Sequence, residues 1–385
     1  MEQMNMADSK SGRATSPLLR LPGEIRNQIY TYLFASTRLT FSFQSLGEPS
    51  EYWTRPAAHS LALLRVCRRI HVETKNLWLP HVLFNFQGIE DLLDKLCPLP
   101  LETLQKIKHV RVGAKAVMMT PPGDYQDIYV RMPWLLKLLP DLRLDTLTVL
   151  GDTAPNSLYL VVDLLVQHGH GWKELRVIAP SSGVFAWKAV TTIFGPPTLV
   201  RAPQPAGWSE VLMSRDGRDP GACVQIYRAK TLETGVLFEP SKREVYTQRA
   251  PSPAEAEAFA FTTPPDLSPK DEMAKELLVI VRRGRGVDLG DVGPVLPMET
   301  GDMRAWSEGR QWKRLKQDCI DMSFGSDSED EGEGEELGRM GEGSGAGEDV
   351  YGDVQEYEFR SIRRNWIHYV EVEHNNIAKQ AHEPS

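Results

Sequence analysis

The stretch Ile107-Lys-His-Val-Arg-Val112 has an apolar-x-x-apolar-x-apolar order that returns twice, as Leu144-Asp-Thr-Leu-Thr-Val149 and Trp172-Lys-Glu-Leu-Arg-Val177. In each copy the last two apolar residues alternate with polar ones, the period of a strand that lays one face on a core. Between the copies the period lengthens to that of a helix. Tyr129, Met132, Leu135, Leu136 and Leu139 precede the second copy, and Leu158, Val161, Val162, Leu165 and Val166 precede the third. A single strand–helix unit cannot cover its own apolar face, so neighbouring units must stack. The spacing is uneven, and two readings stand: a short leucine-rich-repeat-like array, or an ordinary βαβ layer.

Upstream, Pro22 opens a helix expected to run to about Phe34, proline being tolerated in a first turn. On a helical wheel Leu21, Ile25, Ile29, Tyr32 and Leu33 share one face, and Tyr30 and Phe34 form a second apolar patch. Residues 35–59 read as a loop, except that Leu39, Phe41 and Phe43 alternate as a strand would. A second helix is expected over Ser60–Leu79 with a basic back (Arg65, Arg68, Arg69, Lys75), stopped by Pro80. Val82, Phe84 and Phe86 alternate and suit pairing with the strand near Leu39.

Downstream of Pro196–Pro197, two strands are expected. Ala222–Ala229 follows an Asp-Pro-Gly turn, and Leu277–Val281 is a continuous apolar run suited to cover on both faces. Residues 250–271 read as a long loop, Trp312–Ile320 as a short helix. Residues 325–349 have too little apolar content to offset ordering entropy, and residues 1–16 are equally polar, so both are expected to be disordered. The 350–385 tail regains apolar side chains and is expected to dock back.

The net charge of −8 conceals an asymmetry: residues 326–358 hold thirteen acidic residues against one arginine, leaving the remainder near +4. Ser326 and Ser328 each precede a glutamate by three residues, the context favoured by acidophilic kinases, and are candidate phosphorylation sites. Cys67, Cys97, Cys223 and Cys319 are far apart, which suits free thiols in a reducing compartment. The N-terminus lacks a signal-peptide core, and no run is long enough to span a bilayer. An intracellular protein, cytoplasmic or nuclear, is expected, with no membrane partner.

Chemistry finds little support. No metalloprotease, nucleophile-elbow, phosphate-loop or kinase pattern occurs. His168 and His170 are two apart and read as a helix end, not as metal ligands. Gly341–Gly347 lacks the strand and helix that a phosphate cradle needs. Arg282, Arg283 and Arg285 follow a strand and read as its solvated end, so no nucleic-acid partner is expected. The chain is read as a non-enzyme without cofactors.

Leu18–Phe34 (LLRLPGEIRNQIYTYLF) and Leu63–Phe86 (LLRVCRRIHVETKNLWLPHVLFNF) together resemble the F-box-like segment of ascomycete fungal proteins. The matching positions are Leu21–Pro22, Ile25, Ile29, Leu33, Val66–Cys67–Arg68 and Leu77–Trp78. GACVQIYRAK (221–230) and KELLVIVRRGRGVD (275–288) are similar to the C-terminal half of the same group. Two features depart from the pattern: the 35–59 stretch between the helices, and Ile70–His71 where a tryptophan is usual. The resemblance implies binding to the Skp-type adaptor of a cullin-RING (SCF-type) ubiquitin ligase, with the repeats presenting a client protein.

The resulting expectation is a mixed α/β fold in parts. An F-box-like helical hairpin occupies 17–97, a leucine-rich-repeat-like strand–helix array 98–200, and a smaller α+β part 201–324. The acidic insert and the tail follow. The expected function is a protein-interaction module recruiting a substrate to a ubiquitin ligase; the alternative is a scaffold whose hairpin belongs to the core. Partner-binding candidates are Leu21, Pro22, Ile25, Ile29, Tyr30, Leu33 and Phe34. Whichever of the two helix patches faces away from the core would meet the partner, and Tyr30→Asp is expected to remove docking without unfolding.

Overall fold

The computed structural model describes residues 16–41, 52–56, 61–119, 128–151, 155–185, 188–190, 198–200, 205–217, 221–233, 235–247, 270–290, 312–313, 315–316 and 355–359. An eight-stranded sheet organises them: β1 (Arg38–Phe41), β2 (Leu83–Phe86), β3 (His109–Gly113), β4 (Leu144–Leu150), β5 (Trp172–Ala179), β6 (Cys223–Ala229), β7 (Arg243–Val245) and β8 (Leu277–Arg282). Their spatial order is β1-β2-β3-β4-β5-β8-β6-β7. The first five run parallel, and β8, β6 and β7 then alternate antiparallel. The fold is thus mixed α/β on a mostly parallel sheet, with strands drawn from all three expected segments.

The repeated pattern is a register. Val110 pairs with Leu147 and Leu147 with Leu175; Val112 pairs with Val149 and Val149 with Val177. The same rows continue outward to Phe84 and Leu39 on one side and to Val281 and Val279 on the other. All these residues are buried in one apolar core. Side chains alternate across a strand, so the pattern positions share one face. The opposite face holds the row Asn85, Arg111, Thr148, Arg176, in which Arg111 donates twice to the Asn85 Oδ1, at 2.7 and 2.8 Å.

β8 is covered on both sides, as its unbroken apolar run implies. Leu277, Val279 and Val281 join the main core, while Leu278 and Ile280 meet Ile178, Ala229, Val236 and Leu237 in a second cluster. Just before β8, burial pushes the Glu276 carboxyl up to about 8 although the Gly235 N–H donates to it at 2.9 Å. Gly235 has φ 81°, a backbone state that favours glycine at this turn.

Several expected elements are corrected. The helix expected from Pro22 is α1 (Gly23–Ala35), with Pro22 as its N-cap. The second expected helix is broken into a 3-10 turn, Ala62–Arg65, and α2 (Arg68–Thr74). Cys67 between them is extended, and the His71 Nδ1 lies 2.9 Å from the Leu64 carbonyl across the break. Trp78 leaves the helix to stack on Phe84. Between β3 and β4 a short strand, Ile128–Val130, takes Tyr129, and among the described residues there only Met132–Leu135 is α-helical. Pro133 has no N–H to give to a preceding turn, so it sits in the helix's first turn and Tyr129 falls outside. The helix expected at Leu158 is α4 (Pro155–His168); ahead of β3 lies a further helix, α3 (Ile89–Leu96), and α5 (Pro205–Asp216) lies against α4.

The tail contributes Gln355–Phe359, which pairs antiparallel with Tyr52–Pro56 from the 35–59 stretch. The 250–269 loop, the acidic insert with Ser326 and Ser328, Cys319 and residues 1–15 lie outside the described residues. Among the described residues no helix is long and apolar enough to cross a membrane.

Candidate docking surface

α1 carries two stripes of four-residue spacing. Arg26, Tyr30 and Phe34 are buried; Ile25, Ile29 and Leu33 are 42%, 40% and 43% exposed, and Leu21, in extended backbone just ahead of the helix, is 37% exposed. An apolar residue is normally the one buried, so the polar members of the inner stripe need partners. Glu73 of α2 supplies them. Its carboxylate accepts from the Arg26 guanidinium on both oxygens, from the Tyr30 hydroxyl at 3.1 Å, and from the Arg69 Nε at 3.3 Å. The hydrogen bond from Arg26 holds the Glu73 carboxyl down to about 2, and burial raises the Tyr30 hydroxyl above its ordinary value. Arg26 also donates to the Leu21 carbonyl, tying the helix start to the same hub.

Tyr30 and Phe34 are fully buried and belong to the core. Tyr30→Asp would bury a second carboxylate beside Glu73, so it is expected to cost stability and not to spare it. The aliphatic stripe takes the outward role, and Pro22 is exposed at its N-terminal end. The hub was the feature that reading by periodicity missed. Arg26 is four residues from Tyr30 on a buried stripe, and that alone demanded an acidic partner from elsewhere.

The remaining candidates settle into the framework. Arg283 is buried and clamps Asp216 with two hydrogen bonds, at 2.6 and 2.8 Å, against the face of Trp172; Arg282 bonds Glu174 at 2.7 Å. Arg282 and Arg285 are exposed at the strand end as expected, whereas Arg283 departs from it as an ion-paired clasp, since a buried guanidinium requires its counter-charge. His168 ends α4, whose C-terminal carbonyls at Val166 and Gly169 accept from Arg215 at 2.9 and 2.6 Å. Cys67, Cys97 and Cys223 are free thiols, and burial pushes that of Cys97 up to about 12. Among the described residues no group of three or more His, Cys, Asp or Glu gathers where it could hold a metal ion.

Comparison with protein-family models, with curated proteins and with solved structures finds no match for the chain.

Proposed function

We propose that the chain is a protein-interaction module whose aliphatic stripe on α1 docks a partner protein. The observation that carries this is the inversion of α1: its ion pair faces inward while Ile25, Ile29 and Leu33, aligned at i, i+4 and i+8, face out, and Leu21, just ahead of the helix, is exposed too. Solvated helix faces are ordinarily polar, and aligned apolar residues at this spacing are how a helix engages a groove. About two fifths of each side chain remains to be covered, and full burial brings about 1.5–3 kcal/mol apiece, so the four together offer roughly 2–5 kcal/mol.

The F-box-like resemblance names the partner: the Skp-type adaptor of a cullin-RING ubiquitin ligase. In this reading α1 and α2, joined through Glu73, form the hairpin that docks. The parallel strand–helix layer from β2 to β5 serves as a leucine-rich-repeat-like surface that selects the client. The test is a titration of the full chain with a recombinant fungal Skp-type adaptor. Binding lost in Ile25→Asp and Ile29→Asp, with an unchanged thermal transition, supports the reading. An unmodified, folded chain that fails to bind the adaptor overturns it in favour of a scaffold outside ubiquitin chemistry.

A further inference from the structure

We propose that the exposed basic face of α2 is a docking surface for the acidic segment 326–349 of this same chain. The face consists of Arg68, Arg69, Val72 and Lys75, all exposed, with Arg65 and Val66 at its N-terminal side. Arg68, Val72 and Lys75 lie at i, i+4 and i+7, so they line one ridge. Glu73, the sole acidic residue between Ala62 and Lys75, is turned toward Arg26 and Tyr30 and also accepts from Arg69 at 3.3 Å, which leaves the cations of the face in excess. The face therefore presents cations around Val66 and Val72, which are 62% and 65% exposed.

Two things on the page point to the occupant. The first is complementarity. Residues 326–349 hold ten acidic residues against Arg339, and Leu337 and Met340 stand beside the run Glu333, Glu335, Glu336. That is the mixture a cationic face with two bare valines would take.

The second is where the segment's neighbours sit. On its upstream side Trp312 and Leu315 are buried, and the Trp312 indole N–H donates to the Asp94 Oδ1 of α3 at 2.6 Å. The Lys316 ammonium reaches Asp94 at 3.1 Å and Glu90 at 3.5 Å. On its downstream side Gln355–Phe359 pairs with Tyr52–Pro56 and also contacts β1. Five residues after Pro56 the chain enters Ala62–Arg65, the turn that leads into α2. Both attachment points thus belong to the β1 side of the molecule, where Lys95 of α3 lies over the Phe41 ring of β1. Thirty-eight residues separate Lys316 from Gln355. A glycine-rich chain of that length has a root-mean-square span of about 35 Å, which brings its charges to α2 at roughly millimolar effective concentration.

Lys75 makes this testable, because a carbodiimide joins its amine to a carboxylate only where the two are in contact. The full chain, mixed equally as ¹⁵N-labelled and unlabelled protein, is cross-linked at low salt and its linked peptides are read by mass spectrometry. Links from Lys75 to Asp or Glu of 326–349 within one chain are expected. Their yield should fall roughly tenfold at 1 M NaCl, where screening acts within about 3 Å. The same loss is expected in Arg68→Gln with Arg69→Gln, which keeps Lys75. It is also expected in Glu333→Gln with Glu335→Gln and Glu336→Gln, which leaves the folded body untouched should the first pair disturb α2. Links from Lys75 only to other regions, only between labelled and unlabelled chains, or indifferent to salt and to both sets of substitutions, overturn the proposal. Adaptor binding plays no part in the readout, so the outcome stands apart from that of the ligase reading.

Discussion

α1 and α4 are built from similar aliphatic residues and use them in opposite ways. α4 buries Leu158, Val161, Val162, Leu165 and Val166 in the main core and leaves Leu160, at 41%, as its one large exposed aliphatic among the described residues. Its flank is closed by α5, from which the Trp208 indole N–H donates to Asp163 at 2.8 Å. α1 buries a guanidinium and a phenol and turns three aliphatics, Ile25, Ile29 and Leu33, outward. Both are amphipathic by spacing, so spacing alone cannot say which side is in. The side of a helix that carries a matched charge can be the inner one.

The largest break in this comparison comes from truncating α4. Leu165→Ala removes buried methyl groups at a site held between the sheet and the helix and should cost about 2–5 kcal/mol in chemical denaturation. A cost below that range would show that α4 is looser than its burial indicates.

Next comes the Glu276 carboxyl, buried where β8 begins. Its folded value is raised to about 8 from the ordinary 4.5, so the native state holds a proton that the unfolded chain releases between those limits. Its contribution is therefore fully present below about 4.5 and is lost as pH rises through about 8, with a slope of about 1.4 kcal/mol per pH unit inside that window. Glu276→Gln should flatten this part of the stability profile. An unaltered profile would mean that the carboxyl is ionised in place.

The hub of α1 behaves in the opposite sense and more weakly, because Glu73 is partly open to water. Its carboxyl is lowered to about 2, so its stabilisation is present above the ordinary 4.5 and disappears as pH falls toward 2. Glu73→Gln should destabilise the protein at pH 7, less than Leu165→Ala does, and the gap between the two proteins should close by about pH 2. A gap that persists in acid would mean that packing, not charge, joins α1 to α2.

These cases also mark what could be read from the sequence. The strands β2 to β5 were legible because each alternates over a buried face, and the pairing of β1 with β2 followed from Leu39, Phe41, Phe84 and Phe86. The break at Cys67 was not, since it depends on a His71–Leu64 contact that wheel geometry does not contain. Antiparallel β8 between β5 and β6 was hidden because its partners come from segments about fifty and a hundred residues away. For α1, the residues were legible and their orientation was not. Tyr30 and Phe34 look as apolar as Ile25 and Ile29, and only the distant Glu73 decides between them.

The smallest expected effect on stability is therefore the most diagnostic for α1. Ile29→Ser removes an aliphatic side chain that is 40% exposed and leaves Arg26, Tyr30 and Glu73 in place. Surface changes away from caps and buried networks stay within about 0.5 kcal/mol, and Ile29→Ser should do the same in denaturation. The equivalent change in α4, Val161→Ser, would place a hydroxyl in the core and cost several times more. If the two substitutions cost the same, Ile29 is covered in solution and α1 faces the core like α4. If they differ as expected, three aligned aliphatics are held in water by a helix anchored from behind. That arrangement adds little to folding, which is what the proposed docking role requires.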